Sequence, residues 1–194
     1  MNLLETILNA QDGGLVSQLA KNTGASESDI TNVLGKLVPA VSRGIQNNTS
    51  NESSMGDLLN ALDKGQDKHQ RYIDDVSALG EQSTTDDGNA ILGHIFGNNK
   101  DISRNVAGHA AKETGMDFSL VKKLLPVVAA VAMGALGKKG LGAGLLGAAA
   151  TSMLTGSTSK SSSSGAMGIV ASFLDADKDG HIYDDVFRIA KKFF

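Results

Sequence analysis

The chain contains no cysteine and no tryptophan, and only two prolines occur among its 194 residues. Without cysteine it has neither disulfides nor thiolate metal sites. Aromatic residues make up 4% of the sequence and hydrophobic residues 41%, so the core must be built mainly from Ala, Leu, Val and Ile. A dominant charge sign is also lacking. The 18 basic and 21 acidic residues give a net charge of −3, which provides no general attraction to nucleic acid or anionic lipid.

The longest apolar stretch, Leu120–Leu154, carries charge only on four lysines and predicts two apolar helices, at residues 120–136 and 140–154. A helix that is apolar nearly all round must be buried in protein or in lipid. Each half has about 14–17 residues, whereas a helix needs roughly 20 to cross a bilayer, so we predict a buried helical hairpin. Insertion of this Gly/Ala-rich hairpin into a membrane is the alternative. Met1–Glu5 lacks the basic flank and apolar core of a secretion signal, so we expect a cytoplasmic protein.

Apolar residues at helical spacing predict several shorter helices in the region before this stretch. We expect a first helix that ends near Asp12–Gly14 and a third helix that Pro39 kinks without ending. A single helix is predicted over Tyr72–Leu79. The polar stretches Gln46–Ser54 and Glu81–Gly88 are predicted to be loops.

A weak internal repeat relates two parts of the chain. Ala20–Gly24 (AKNTG) recurs as Ala111–Gly115 (AKETG), and each copy precedes an apolar helix with a proline, Pro39 or Pro126. The repeat predicts two helix–turn–helix-like units that pack pseudo-symmetrically. The predicted fold class is therefore an all-α multihelical bundle.

Residues 91–97 (ILGHIFG), together with Leu124–Val127 and Met133–Leu136, resemble the YidB-like bacterial family of unknown function. The resemblance covers roughly residues 1–155 and is most specific over residues 88–137. It implies a small all-α bundle of bacterial origin. Because the family has no assigned catalytic residues, the resemblance implies none in this chain.

Residues 156–165 are rich in Ser and Gly and contain no apolar residue, which predicts a flexible linker between the domain at 1–155 and a C-terminal segment at 166–194. In that segment, three aspartates at alternate positions and a glycine match positions 1, 3, 5 and 6 of an EF-hand calcium loop. Calcium prefers six to eight hard oxygen ligands, and the glycine permits the sharp turn. Amphipathic helices are predicted on both sides, so the segment resembles an EF-hand or half of a dockerin module.

The second half of this loop departs from the EF-hand pattern. Position 12, normally a bidentate glutamate, is Val186, so closure through a nearby aspartate and a weaker affinity are predicted. The predicted calcium ligands are Asp175, Asp177, Asp179, His181 through its backbone carbonyl, and Asp184 or Asp185. The alternative is an acidic surface turn that stabilises the last helix without metal. A lone hand leaves Phe187 and its apolar neighbours uncovered, which predicts a protein partner or self-association.

The sequence gives less support to other functions. A DNA-binding helix–turn–helix over Ala20–Val33 is disfavoured because Ser26–Asp29 places carboxylates where phosphates would bind. The four histidines share no metal-ligand spacing, and His94 is expected to pack beside an apolar face. No Ser/His/Asp pattern points to an enzyme. We therefore expect a non-enzymatic structural or interaction protein with a calcium-binding hand, and membrane insertion and DNA association are the alternatives.

Overall fold

The computed structural model describes residues 2–49, 65–97 and 99–138 of the chain. Within these ranges the protein is all-α, which confirms the predicted multihelical bundle. The helices are α1 (Leu3–Leu8), α2 (Gly14–Thr23), α3 (Glu27–Thr49), α4 (Gln66–Asp74), α5 (Gln82–Ile95), α6 (Lys100–Thr114) and α7 (Phe118–Lys138). Two 3₁₀ turns, Ala10–Gly13 and Val76–Gly80, lie between them. The predicted helix at 140–154, the linker and the C-terminal hand lie outside the described residues.

Helix α7 is the centre of the bundle and confirms the first half of the predicted apolar hairpin. Every residue from Leu124 to Leu136 is buried, and α7 packs against α1, α3, α4, α5 and α6. The described residues include one helix long and apolar enough to cross a membrane, and it is α7. Of its most apolar window, 78% is buried inside the protein. Its apolar surface is therefore already covered by other helices.

Glycines allow helices of the bundle to pack closely, and two of these contacts bring a neighbouring helix to backbone distance from α7. A Cβ atom built on Gly88 of α5 would lie far closer than 3.0 Å to the carbonyl oxygen of Pro126 in α7. A Cβ on Gly134 of α7 would meet the backbone carbonyl of His69 in α4 in the same way. On α3, a Cβ on Gly44 would collide with the side chains of Ile95 and Phe96. Any side chain at these positions would push the two helices apart, so glycine is needed for the observed spacing.

The two copies of the sequence repeat have the same local structure. Helices α2 and α6 each end at a left-handed glycine, Gly24 with φ 74° and Gly115 with φ 73°. The preceding threonine hydroxyl donates to a carbonyl one turn back, at 2.7 Å in both copies. The following helices, α3 and α7, both continue through their proline and pack against each other. The repeat thus forms two helix–turn–helix units around a shared contact.

Four predicted boundaries were wrong. Helix α1 ends at Leu8, before the 3₁₀ turn, and α3 continues to Thr49 because buried Ile45 extends its apolar stripe. The predicted helix Tyr72–Leu79 is interrupted at Asp75, whose carboxylate instead accepts the Ser77 N–H at 3.0 Å. The predicted loop Glu81–Gly88 is the first half of α5.

Tertiary contacts explain why that polar stretch is helical. The Thr84 hydroxyl is fully buried and donates to the carbonyl of Ala78 at 2.5 Å. Asp87 accepts hydrogen bonds from Lys68 and Tyr72 of α4. Gly88 packs on the backbone of α7. Thr84, Asp87 and Gly88 therefore each have a partner elsewhere in the fold that stabilises the helix.

Candidate binding groove and buried polar cluster

A half-open groove of about 540 Å³ lies where α5, α6 and α7 meet. Its floor is formed by apolar residues that belong to the core, and its walls are polar. The lining residues are Asn89, Leu92, Gly93, Asn99, Lys100, Ser103, Arg104, Lys122, Leu125 and Pro126. We call this surface the basic groove because all its charged residues are cations.

The charge of the basic groove comes from three exposed side chains, Lys100, Arg104 and Lys122. The lining includes no acidic residue. Arg104 lies 3.4 Å from the carboxylate of Asp101, and both side chains are mostly exposed, so this pair holds Arg104 only weakly. Lys100 and Lys122 form no ion pair with any residue that the structure describes. The groove therefore presents positive charge that is little neutralised by its surroundings.

Backbone groups add to this positive field. Helix α6 begins at the groove, and the Asn99 side chain accepts the N–H of Asp101 at 3.0 Å. The other N–H groups of a first helical turn point outward and carry a partial positive charge. Together, the three cations and the helix start suit an anionic group, and the floor of Leu92, Leu125 and Pro126 suits an apolar neighbour of that group.

A second polar feature lies between α4 and α5. The Tyr72 hydroxyl donates to Asp87, and Lys68 Nζ lies 2.7 Å from the same carboxylate. The imidazole of His69 packs against the Tyr72 ring with 6.2 Å between ring centroids. His69 is 8% exposed, and its Nδ1 has no hydrogen-bond partner. We call these four residues the buried polar cluster, of which Lys68 is the exposed member.

Burial, hydrogen bonds and neighbouring charges shift the pKa values of three residues in this cluster. Burial, and then the hydrogen bond to Asp87, raise the pKa of Tyr72 well above its usual range, so it stays a neutral donor. Burial alone would raise the pKa of Asp87, but the hydrogen bonds from Lys68 and Tyr72 lower it overall. Burial lowers the pKa of His69. The negative charge of Asp87 raises this pKa, and the positive charge of Lys68 lowers it slightly, so the overall shift is downward. The cluster is therefore most stable with neutral His69 and charged Asp87.

The lowered pKa of His69 makes the stability of the bundle sensitive to mild acid. The unfolded chain takes up the imidazole proton near pH 6.5, whereas the folded chain resists it. The unfolding free energy should thus fall as the pH drops below that value, by at most about 1.4 kcal/mol per pH unit. Urea unfolding between pH 7.5 and 5.5 measures this dependence, and His69→Gln should flatten it. Equal pH dependence in both proteins would show that His69 is not its source.

The structure places the predicted functional residues as follows. All six predicted calcium ligands, Asp175, Asp177, Asp179, His181, Asp184 and Asp185, lie outside the described residues. His94 is exposed, not packed as predicted, and His69 is the buried histidine. Within the described ranges, no group of three or more His, Asp or Glu side chains is arranged to hold a metal ion.

The basic groove was missed from the sequence, although part of its signal was present. Lys100 and Arg104 are four residues apart and lie on one face of a helix. Lys122 lies on a different helix, and only the packing of α6 against α7 brings it to the same surface. A local pattern therefore could not have revealed the complete site.

Comparison with known families decides the classification. Residues 5–139 match the family model described as "Bacterial protein of unknown function (DUF937)". The chain belongs to the DUF937 family. The match confirms the YidB-like resemblance and includes the basic groove and the buried polar cluster. No curated protein and no solved structure matches the chain.

Proposed function

We propose that this DUF937 protein is a non-enzymatic bacterial interaction protein whose C-terminal loop binds calcium. The observation that carries the proposal is the spacing Asp175, Asp177, Asp179 and Gly180 in the sequence. This loop lies beyond the residues that match the family, which end at 139. The proposed site therefore lies outside the part of the chain that matches the family model.

The chemistry of the loop supports calcium as the ligand. Carboxylates placed at alternate residues of a tight loop point toward one centre, and Ca²⁺ accepts six to eight such oxygens. Without a cation, closely spaced carboxylates repel each other. Because Val186 replaces the usual glutamate, we expect an affinity near the weak end of the EF-hand range, about 10⁻⁴ to 10⁻³ M. Calcium would order the loop and position the following helix with Phe187, Phe193 and Phe194 to contact a protein partner or a second copy.

The two alternatives have less support. For membrane insertion, the most apolar helix, α7, is largely buried among other helices, so insertion would require the bundle to open. For DNA binding, the second helix of the first repeat unit begins with exposed Glu27 and half-buried Asp29, whose carboxylates would repel phosphates. Partition into liposomes, or DNA retardation that weakens with salt, would favour these alternatives.

Terbium luminescence tests the calcium site directly in the intact chain. The chain has two tyrosines and no tryptophan, and Tyr183 lies within the predicted loop. In a Tyr72→Phe background, excitation of Tyr183 should sensitise bound Tb³⁺, and Ca²⁺ at millimolar concentration should displace the lanthanide. Asp175→Ala combined with Asp179→Ala should abolish the signal.

The matched control removes two acidic side chains from the surface of the bundle. Glu27→Ala with Asp86→Ala changes the net charge equally, because each double variant removes two carboxylates. Both control residues are exposed, so the bundle should tolerate their loss. This control should bind Tb³⁺ like the parent chain. If the parent chain gives no sensitised signal, or if the two double variants behave alike, the calcium site does not exist.

A further inference from the structure

The basic groove and the aspartate loop have opposite charge on one chain. We propose that the calcium-free loop Asp175–Asp185 docks in the basic groove of its own chain, and that calcium binding releases it. The groove then serves as the resting position of the loop. The release step rests on the proposed calcium function, whereas the docking step does not.

Charge complementarity is the first argument. The loop contains five aspartates and one lysine, Lys178, which gives a net charge of −4. The groove contributes three cations and no acidic residue. Elsewhere in the described structure, exposed Lys36, Lys68 and Lys138 already form ion pairs at 2.6 to 2.9 Å. Lys100 and Lys122 have no such pair with a described residue and lie in the same groove, so together they can bind an incoming carboxylate. Lys21, Lys112 and Lys123 are also exposed without such a pair, but they lie outside the groove.

Shape and polarity agree with the same occupant. The floor of the groove is apolar at Leu92, Leu125 and Pro126. The loop is flanked by Phe173 and Leu174 and contains Ile182. A segment that carries both carboxylates and apolar side chains uses the wall and the floor at once. A small inorganic anion would use the wall alone.

Chain length permits the contact. Lys122 lies 16 residues before Lys138, the last residue of α7, which corresponds to about 24 Å along a helix. Between Lys138 and Asp175 there are 37 residue steps, and with a helix over the predicted residues 140–154 they still reach on the order of 95 Å. Residues 156–165, which the composition predicts to be flexible, lie in this connection. Docking within one chain also benefits from an effective concentration in roughly the millimolar range.

Calcium and the groove compete for the same oxygens. Carboxylates that surround Ca²⁺ have fewer free lone pairs for lysine and arginine, and the bound ion cancels two negative charges of the loop. The calcium-loaded loop is therefore a poor ligand for the groove. Its release frees the loop and the phenylalanine-containing helix at the same time as it uncovers the three cations.

Zero-length cross-linking tests the contact in the intact chain. A carbodiimide joins a lysine Nζ and an aspartate carboxylate as an amide, and the reagent takes up the water. In chelator, we expect mass spectrometry to find Lys100 or Lys122 linked to loop aspartates, and calcium should suppress these links. Links to Lys21, Lys112 and Lys123, which are exposed outside the groove, should be rare in both conditions. Equal yields at both sets of lysines would overturn the proposal.

Mixing ¹⁴N- and ¹⁵N-labelled protein identifies which chain supplies the loop. Links within one isotope support docking on the same chain. Mixed-isotope links as frequent as chance predicts would assign the groove to a second copy and overturn the intramolecular proposal.

Calcium affinity provides an independent measurement. The groove variant Lys100→Gln, Arg104→Gln and Lys122→Gln removes the competitor, so calcium should bind about two- to tenfold more tightly. The control Lys21→Gln, Lys112→Gln and Lys123→Gln removes the same charge elsewhere and should bind like the parent. Calorimetric titration of all three proteins gives the comparison. Equal affinities in the groove variant and the control would contradict calcium-controlled release.

The two proposals fail in different ways. If the chain does not bind calcium in any variant, the calcium function is lost, and cross-links in chelator still report on docking. If calcium binds but the cross-links are absent, the groove proposal is lost and the calcium site remains.

Discussion

Gly88→Ala is expected to destabilise the bundle by about 3 kcal/mol or more. The new Cβ would overlap the carbonyl oxygen of Pro126, and the nearest atoms all belong to the backbone of α7. A backbone cannot rotate away as a flexible side chain can, so α5 must move relative to α7. That movement would disturb one of the most extensive helix interfaces of the described structure. Urea unfolding followed by circular dichroism measures the loss.

The matched control for this substitution is Gly35→Ala in α3. Gly35 is also within a helix, but a Cβ there has open space with no atom within 4 Å. Because alanine has a higher helix propensity than glycine, the control should be more stable to unfolding by about 0.5–1 kcal/mol. Similar changes in the two variants, in either direction, would mean that the contact between Gly88 and Pro126 does not limit helix packing.

Tyr72→Ala is the second substitution with a large expected effect, a loss of about 3–5 kcal/mol. Tyr72 is 1% exposed and is among the largest fully buried side chains of the described core. Its removal would leave a cavity beside His69 and deprive Asp87 of a hydrogen-bond donor. Thermal or urea unfolding at neutral pH should show the loss.

Tyr72→Phe separates the ring from its hydroxyl. The ring continues to fill the core, and Asp87 keeps its contact with Lys68 at 2.7 Å. We expect this variant to lose about 1.5–3 kcal/mol, the usual effect of one hydrogen bond to a charged group. If Tyr72→Phe were as damaging as Tyr72→Ala, the hydroxyl and not the packing of the ring would dominate at this position.

Much of the fold was predictable because its signals are local. The apolar run of α7 requires burial wherever it lies. The repeated Thr-Gly pairs at 23–24 and 114–115 are typical helix ends, and α2 and α6 end there. The family resemblance rested on residues 88–137, which lie inside the matched range.

The errors have a common physical cause. Residues 81–88 are polar and contain a glycine, so their local preference indicates a loop. Their helical structure depends on hydrogen bonds to α4 and on close contact with α7, which join residues far apart in the sequence. The basic groove is harder still to predict, since it needs the relative positions of three helices. The calcium loop has a local pattern and stays a prediction, because it lies outside the described residues.

The contact between Gly88 and Pro126 also determines whether a second mutation can compensate for a substitution at Gly88. A bulky substitution at Gly44 meets the side chains of Ile95 and Phe96, so a second-site suppressor that trims either residue can restore the fit. At Gly88 the obstacle is a carbonyl group that every residue possesses. No replacement at position 126 removes it. A suppressor screen should therefore recover compensating changes for Gly44→Ala, and for Gly88→Ala mainly true revertants.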